Sequence, residues 1–208
     1  YNSKSGGYKV KEWIRECRLI ENKISLKKKD KLLEIGSGSG ALLKYFSKKN
    51  KIYGADYSIA LMSLAKKALP NCKFSLCEAN KINFNKNFFH AVVMQSCIQY
   101  FPNEKYFLQV MKRVKNTLKK NGKLFIGEIV DEDNLENFIK YRKKKIGLKN
   151  YKLMYLGDKN KKLKFFSISK NNIISILKKD FKDFEIYNCP KRGDEKDYYR
   201  FNLVCTNK

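Results

Sequence analysis

The nine residues Leu32-Leu33-Glu34-Ile35-Gly36-Ser37-Gly38-Ser39-Gly40 decide the fold. An apolar run enters a loop with glycine at every second position, and the helical pattern of residues 41–46 follows. Strand, glycine loop and helix form the layout that lets a backbone approach a nucleotide-like ligand, whose polar groups then meet amides at the helix N-terminus. The spacing differs from the dinucleotide pattern G-x-G-x-x-G, and an ordinary tight turn also favours glycine.

A second strand, residues 51–55, ends in Asp56. A carboxylate at the tip of a neighbouring strand can accept both hydroxyl groups of a ribose. Ser58 is a predicted N-cap of the next helix. Tyr57 and Leu61 are expected beside an adenine ring.

Further elements follow in alternating order. Strands are predicted over 73–77 and 89–94, the first of them leading into Glu78, Ala79 and Asn80. A helix over about 104–119, a turn over 120–122 and a fifth strand over 123–129 come next. After residue 129, the sequence pattern predicts a basic helix over 131–146 and short strands over 151–156 and 163–169. A helix over 170–179, with Ser169 as its cap, and strands over 183–188 and 199–206 are predicted next.

The motifs in register resemble those of the class I S-adenosylmethionine-dependent methyltransferases, in particular their small-molecule branch. They are the glycine loop, Gly54-Ala55-Asp56 with Ser58, Glu78-Ala79, the strand from Phe89 to Val93, and Leu118–Gly122. The resemblance covers roughly residues 30–130. It implies a Rossmann-like α/β fold with a seven-stranded, mostly parallel sheet, helices on both faces and an antiparallel C-terminal hairpin.

The resemblance also implies a cofactor, S-adenosylmethionine, with S-adenosylhomocysteine as product. Glu34 is expected near the amino end of the cofactor, Asp56 at the ribose, and Glu78 at the adenine. His90 departs from the family pattern, which usually has Asp there. The implied cofactor site comprises Tyr8, Glu34, Gly36, Ser37, Gly38, Gly40, Asp56, Tyr57, Leu61, Glu78, Ala79, Asn80, Met94 and Gln95.

Length and composition predict one cytoplasmic domain. The 208 residues suffice for a single full core. We expect an N-terminal lid and helix over 1–29, a cofactor core over 30–130, a substrate cover over 131–168, and a helix with a hairpin over 169–208. No membrane span is expected. The six cysteines and one histidine match no metal-site spacing, so we expect reduced thiols and no metal.

The net charge of +26 is large enough to indicate nucleic-acid binding, but the distribution of the basic residues along the chain does not indicate it. Nearly all of the 46 basic residues are lysines, and they are spread along every predicted helix. Such runs are usually solvated faces. A field this positive still concentrates anions, which favours a substrate carrying phosphate or carboxylate.

Catalytic residues are the least defined part of the sequence. Glu128, at the end of the fifth strand, is a candidate base or substrate acceptor, with a cap of the following helix as the alternative. His90 lies too early in its strand to face a substrate. Candidate substrate-binding residues are Gln99, Tyr100, Arg142, Arg192, Tyr199 and Arg200, with the arginines as anion clamps.

Three functions are compatible with these patterns. The favoured one is methyl transfer to an oxygen or nitrogen of a small, anionic metabolite or sugar intermediate. An RNA methyltransferase is the alternative, although the strand-four end, Met94 to Cys97, lacks the signature of base amino methylation. A non-catalytic binding protein is the third. The chain is expected to act as a monomer or homodimer.

Overall fold

The computed structural model describes residues 10–148, 150, 166–191 and 198–208. Helices are α1 (Val10–Ile24), α2 (Ala41–Phe46), α3 (Ile59–Ala68), α4 (Glu104–Thr117), α5 (Leu135–Ile146) and α6 (Lys170–Leu177). Strands are β1 (Lys31–Ile35), β2 (Lys51–Asp56), β3 (Lys73–Leu76), β4 (Phe89–Gln95), β5 (Leu118–Val130), β6 (Phe181–Asn188) and β7 (Arg200–Asn207).

The strands form one seven-stranded sheet in the order β3-β2-β1-β4-β5-β7-β6. The first five strands of this order are parallel, and β7 runs antiparallel between β5 and β6. The predicted fold class is therefore confirmed, including the C-terminal hairpin. Because β1 and β4 are neighbours whose crossovers lie on opposite sides, their carboxyl ends open a crevice between them.

Two apolar clusters cover the two faces of this sheet. Side chains of α1 and α2, among them Ile20 and Phe46, pack on one face. Phe107 and Val110 of α4, with Ile173 of α6, pack on the other. Both central strands are buried over nearly their whole length, as expected for parallel strands that carry helices on each face.

Local sequence signals account for several element boundaries. The Ser58 side chain accepts a hydrogen bond from Leu61 N–H at 3.3 Å, and Ser169 accepts one from Asn172 N–H at 3.2 Å, which confirms both predicted caps. The predicted turn over 120–122 is instead a break within β5. Asn121 has φ 61° there, and the pairing with β4 shifts register next to it.

The predicted helix over 131–146 begins as a 3-10 turn, Glu132–Asn134, before α5. Asp131 explains this, because its carboxylate accepts hydrogen bonds from Asp133 N–H and Asn134 Nδ2. The short strand predicted over 151–156, and residues 163–165 of the one predicted over 163–169, lie outside the described residues. Ile168 forms a single parallel bridge with Asp131. No helix of the described ranges is long and apolar enough to cross a membrane.

Candidate active site

The carboxyl ends of the parallel strands open into a cavity of about 1330 Å³. Its walls come from the loop after β1, the ends of β2 and β4, the segment after β3, and residues of β5, α5 and β7. The volume exceeds that of a typical small-ligand pocket, so two ligands can lie side by side. This is the edge of the sheet at which the sequence predicts binding.

Two glycines of the loop, Gly36 and Gly38, line the cavity but differ in the space beside them. Gly36 has φ 74°, and a Cβ there would lie 2.6 Å from Cys97 Cβ, so this position is filled by protein. Gly38 has φ 52°, and a Cβ there would meet nothing nearer than Leu61 Cδ1 at 3.9 Å. Gly38 lines the cavity, so its missing side chain leaves room for a ligand.

Asp56 is fixed at the end of β2 by two backbone amides. Its Oδ2 accepts from Gly38 N–H and its Oδ1 from Ser58 N–H, both at 2.8 Å. The carboxylate is buried and lines the cavity. Each oxygen has a second lone pair, so the group can still accept hydroxyl protons from a ribose.

Glu34 and Ser37 provide buried polar atoms that lack a partner among the described residues. Glu34 Oε2 and Ser37 Oγ are both buried with no hydrogen-bond partner in that part of the chain, and both residues line the cavity. Burial, together with the nearby Asp56 carboxylate, raises the pKa of Glu34 well above its usual value. A cationic ligand group would relieve this cost, because it favours the ionised carboxylate.

The segment after β3 supplies a further carboxylate. Glu78 Oε2 accepts a hydrogen bond from Tyr106 Oη at 2.8 Å. Burial and this bond raise the pKa of Tyr106 to about 12. Ala79 and Asn80 also line the cavity, and Asn80 Oδ1 is buried without a partner. Opposite them, Tyr57 is 71% exposed, which leaves an apolar surface for a flat ring.

At the end of β4 the structure separates two residues that the sequence analysis grouped. Gln95 lines the cavity, and its Nε2 lies 3.4 Å from Glu16 Oε1 on α1. Gly127 makes room for this amide, because a Cβ there would lie 1.7 Å from Gln95 Oε1. Met94 is fully buried in the core beneath α4 instead. Neighbouring side chains of a strand point to opposite faces, so both could not face the ligand.

Gly40 is a second correction to the predicted cofactor set. It has φ 80° at the start of α2, and a Cβ there would lie 2.9 Å from Leu69 Cδ1. Gly40 therefore serves the packing of α2 against the end of α3 and does not line the cavity.

The other side of the cavity is organised by Glu128. This residue has φ 63°, in a bulge of β5 where the pairing with β7 shifts between Ile126 and Ile129. Its N–H donates to Asn202 Oδ1 at 2.9 Å, and its Oε2 accepts from Arg200 Nη1 at 2.8 Å. Glu128 thus pairs with an arginine and does not cap the following helix. Strained non-glycine backbone of this kind persists only where its surroundings hold it, and it concentrates at functional sites.

Helix α5 contributes one face to the same wall. Phe138, Tyr141, Arg142 and Lys145 all line the cavity, and Lys145 Nζ donates to Tyr141 Oη at 2.8 Å. Tyr199 does not line the cavity, but its ring stacks on Tyr141 with centroids 5.5 Å apart. Tyr199 therefore supports this wall from behind.

Gln99 and Tyr100 line the mouth between the two sides. Gln99 Nε2 donates to Ser96 O at 2.9 Å, while Gln99 Oε1 is buried without a partner. Tyr100 is 60% exposed. Two further predicted site residues, Tyr8 and Arg192, lie outside the described residues.

His90 lies at the far end of β4 from the cavity. Its Nδ1 accepts from Lys31 N–H at 3.0 Å, and its Nε2 lies 3.3 Å from Asp30 Oδ1. Burial lowers the pKa of His90. Among the described residues, no group of His, Cys, Asp or Glu side chains is arranged to hold a metal ion.

The charges of the cavity are separated into two regions. Among the described residues, the acidic region carries Glu34, Asp56, Glu78 and Lys81. The described part of the basic region carries Arg142, Lys145, Arg200 and Glu128. The acidic region fits a nucleoside with a cationic amino group, because a ribose acceptor, an open glycine and orphaned buried oxygens lie together there.

Sequence reasoning missed several residues that line this cavity. Trp13 packs against the core and also lines the cavity. Tyr106 and Lys145 were not singled out at all. The spacing of 138, 141, 142 and 145 places these four residues on one helix face, and this signal could have identified them together.

Comparisons with known proteins agree with this geometry. Residues 33–126 match the family model described as a methyltransferase domain. Chondramide synthase cmdD of Chondromyces crocatus is 30% identical over 110 residues, which are 47% of this chain and 3% of that protein. The chain therefore spans only a small part of this relative.

Two solved structures share the fold at low identity. A SAM-dependent methyltransferase from Methanosarcina mazei is 20% identical, with a TM-score of 0.65 over 91% of this chain and 96% of that one. A phosphoethanolamine N-methyltransferase 2 of Haemonchus contortus, in complex with phosphomonomethylethanolamine and S-adenosylhomocysteine, is also 20% identical. Its TM-score is 0.63 over 85% of this chain and 39% of that one.

Proposed function

We propose that this chain is a class I S-adenosylmethionine-dependent methyltransferase and that it methylates an oxygen or nitrogen of a small, anionic metabolite or sugar intermediate. The observation that carries the proposal is the basic region, where Arg142, Lys145, Arg200 and Glu128 are the described charged residues that line the cavity beside the acidic region. A cavity with this polarity favours a cationic cofactor at one end and an anionic acceptor at the other.

We assign cofactor binding to the acidic region and its surroundings. Asp56 would accept the ribose hydroxyls, Glu34 would face the amino group, and Tyr57 with Leu61 would cover the adenine. When bound, S-adenosylmethionine supplies a methyl group on a sulfonium. The full proposed set is Glu34, Gly36, Ser37, Gly38, Asp56, Tyr57, Leu61, Glu78, Ala79, Asn80 and Gln95, with Tyr8 from the segment outside the described residues.

We assign acceptor binding to the basic region. Arg142, Arg200 and Lys145 would hold the anion, Gln99 and Tyr100 would border it, and Arg192 remains a proposed contributor. Positioning supplies much of the acceleration in a displacement of this kind. A hydroxyl or ammonium acceptor must also lose a proton. Glu128 is the carboxylate on this side and is the group that we assign to accept it.

The similar Haemonchus contortus enzyme binds a ligand of the proposed acceptor class. Its structure holds phosphomonomethylethanolamine, a small phosphate-bearing amine, together with S-adenosylhomocysteine. At 20% identity this likeness shows the fold alone. The substrate class of this chain therefore rests on the charges of its own cavity.

We further propose a single domain with the divisions expected from the sequence, acting in the cytoplasm as a monomer or homodimer. All six cysteines are free thiols, which fits a reducing compartment.

RNA methylation is the second candidate, and the net charge of +26 favours it. The discriminating experiment follows labelled methyl from S-adenosylmethionine into a fractionated extract of the source cells. Label in the small-molecule pool that survives nuclease supports our proposal. Label in nuclease-sensitive polymer contradicts it, and acceptor binding should then weaken steeply with salt. Cofactor binding without any labelled product would favour the non-catalytic alternative.

A further inference from the structure

His90 stands at the amino end of β4, where the backbone pairing with both neighbouring strands leaves it out. Pairing of β4 with β1 begins one position later, at Ala91 opposite Leu32. Pairing of β4 with β5 skips His90, and the partners in β5 jump from Leu118 to Lys123. The contacts that join the three strands at this corner of the sheet are therefore made by the side chain of His90.

The imidazole of His90 contacts β1, β5 and the loop before β1. Its Nδ1 accepts a hydrogen bond from the Lys31 N–H at 3.0 Å. Its Nε2 lies 3.3 Å from Asp30 Oδ1 and 3.1 Å from Lys119 Nζ, in the part of β5 that the pairing skips. The Asp30 carboxylate is held in place, because its Oδ2 accepts from the Lys27 N–H at 2.9 Å.

These contacts define the protonation state of His90. An N–H that points at Nδ1 requires a free lone pair on that atom, so the neutral imidazole carries its proton on Nε2. This proton can be donated to Asp30 Oδ1. Lys119 cannot donate to a protonated Nε2, and its ammonium group therefore acts on the ring through its charge. The hydrogen bonds thus fit the neutral Nε2–H tautomer.

A second proton on the imidazole would remove the contact with β1. It would be bound at Nδ1 and would face the Lys31 N–H, and two donors cannot form a hydrogen bond with each other. The charged groups that face the ring are Asp30 before β1, Lys31 of β1 and Lys119 of β5. Burial, as the largest effect, and the charges of the two lysines lower the pKa of His90 against the opposing effect of Asp30.

We infer that His90 is an acid-sensitive latch, which in its neutral form joins the amino ends of β1, β4 and β5 and on protonation releases the Lys31 amide. The latch lies at the opposite end of β4 from the cavity and uses none of the residues assigned to the cofactor or the acceptor. It is therefore independent of the proposed function.

The latch predicts the direction in which stability depends on pH. The ordinary pKa of a histidine is about 6.5, and the folded protein binds this proton less tightly than the unfolded chain does. The stability contributed by His90 is therefore complete above about pH 6.5. It is lost as the pH falls from there through the lowered pKa of the folded state.

The first test is nuclear magnetic resonance of the wild-type protein, prepared without a histidine tag. His90 is the only histidine of the sequence, so the long-range proton–nitrogen correlations of one imidazole are assigned without ambiguity. We expect the Nε2–H tautomer at about pH 8 and a titration midpoint below about 6.5. A proton on Nδ1 in the neutral form, or a midpoint at or above that value, would overturn the latch.

The second test measures hydrogen exchange of the Lys31 amide at pH 7.5 and pH 5. In the wild type, the protection factor, which corrects for the intrinsic effect of pH, should fall at least threefold. His90→Asn places an amide oxygen near the position of Nδ1 but does not titrate, so its protection factor should change less. Identical pH dependence in the two proteins would contradict the latch. S-adenosylhomocysteine affinity at pH 7.5 should be the same in both, which verifies that the variant folds.

Substitutions of the facing charges test the assigned neighbours. At low salt, Lys119→Met should raise the titration midpoint of His90 and Asp30→Asn should lower it, each by roughly 0.3 pH units or more. Lys66→Met is the matched control, because Lys66 is an exposed lysine on α3, and it should leave the midpoint unchanged. Equal shifts in Lys119→Met and Lys66→Met would show that the net charge, and not the latch, determines the titration.

Discussion

The acidic and basic regions share one cavity but are built in different ways. In the acidic region, the functional groups lie on a loop and on strand ends, within or directly beside the sequence motif to which each belongs. The Asp56 carboxylate is held by the backbone amides of residues that are two and eighteen positions away in the chain. In the basic region, the central contact joins Glu128 and Arg200, which are 72 residues apart. The first region can therefore be predicted from local sequence, whereas the second depends on the pairing of β5 with β7.

The largest effect should come from filling the acidic region. Gly38→Val would place a branched side chain in the space left open beside Leu61. We expect S-adenosylhomocysteine binding to fall by more than 100-fold, measured by calorimetry. Gly147→Val is the matched control, because Gly147 also has a positive φ, of 77°, and none of the described residues comes within 4 Å of its Cβ position. Equal losses of binding in both variants would indicate backbone strain and would contradict the assignment of Gly38.

Removing the ribose acceptor should have the next largest effect. Asp56→Ala leaves the Gly38 and Ser58 amides without their acceptor and removes the group assigned to the ribose. Cofactor affinity should fall by about 1–3 kcal/mol, or roughly 5- to 150-fold. Asp131→Ala is the control, since Asp131 is an equally buried carboxylate that also accepts a backbone N–H. That variant should lower thermal stability without changing the affinity for S-adenosylhomocysteine.

The third prediction concerns Glu34 and asks whether this carboxylate favours a cationic ligand in the acidic region. Its raised pKa means that the folded protein binds more protons than the unfolded chain between the unfolded Glu pKa of about 4.3 and the folded value. Stability should therefore decline as pH rises through that window. Glu34→Gln should remove this decline. At pH values above this window, the ligand-free variant should be more stable than the ligand-free wild type.

The same variant should bind the cofactor less well, despite its greater stability. A cationic ligand favours ionised Glu34, so binding to the wild type should release protons, and its affinity should increase with pH up to the raised pKa of Glu34. Calorimetry in two buffers of different ionisation enthalpy measures this release. Absence of proton release in the wild type, or its persistence in Glu34→Gln, would show that Glu34 does not face the cationic group.

The extent of correct sequence prediction follows this difference between the regions. The glycine loop, Asp56 and Glu78 were predicted because each one directly follows an apolar run, and chain order places parallel strand ends at one edge. Met94 lies in the core, one residue before the cavity-lining Gln95, and the end of a strand does not reveal in the sequence which side chain faces the cavity. The Glu128–Arg200 pair could not be predicted, because it requires the register of two antiparallel strands and a left-handed residue that no sequence signal marks.

The smallest effect concerns a group that supports the acidic region. Tyr106→Phe removes the hydrogen bond to Glu78 while keeping the aromatic ring, so Glu78 loses one restraint but remains in place. Cofactor affinity should fall by about 0.5–1.5 kcal/mol, or roughly two- to twelvefold. Tyr45→Phe is the matched control, because Tyr45 Oη donates to Glu21 Oε2 at 2.6 Å away from the cavity. If both variants left the affinity unchanged, Glu78 would be held by its backbone alone. The contact of α4 with the acidic region would then consist of the hydrogen bond from Asn80 Nδ2 to Gln109 Oε1.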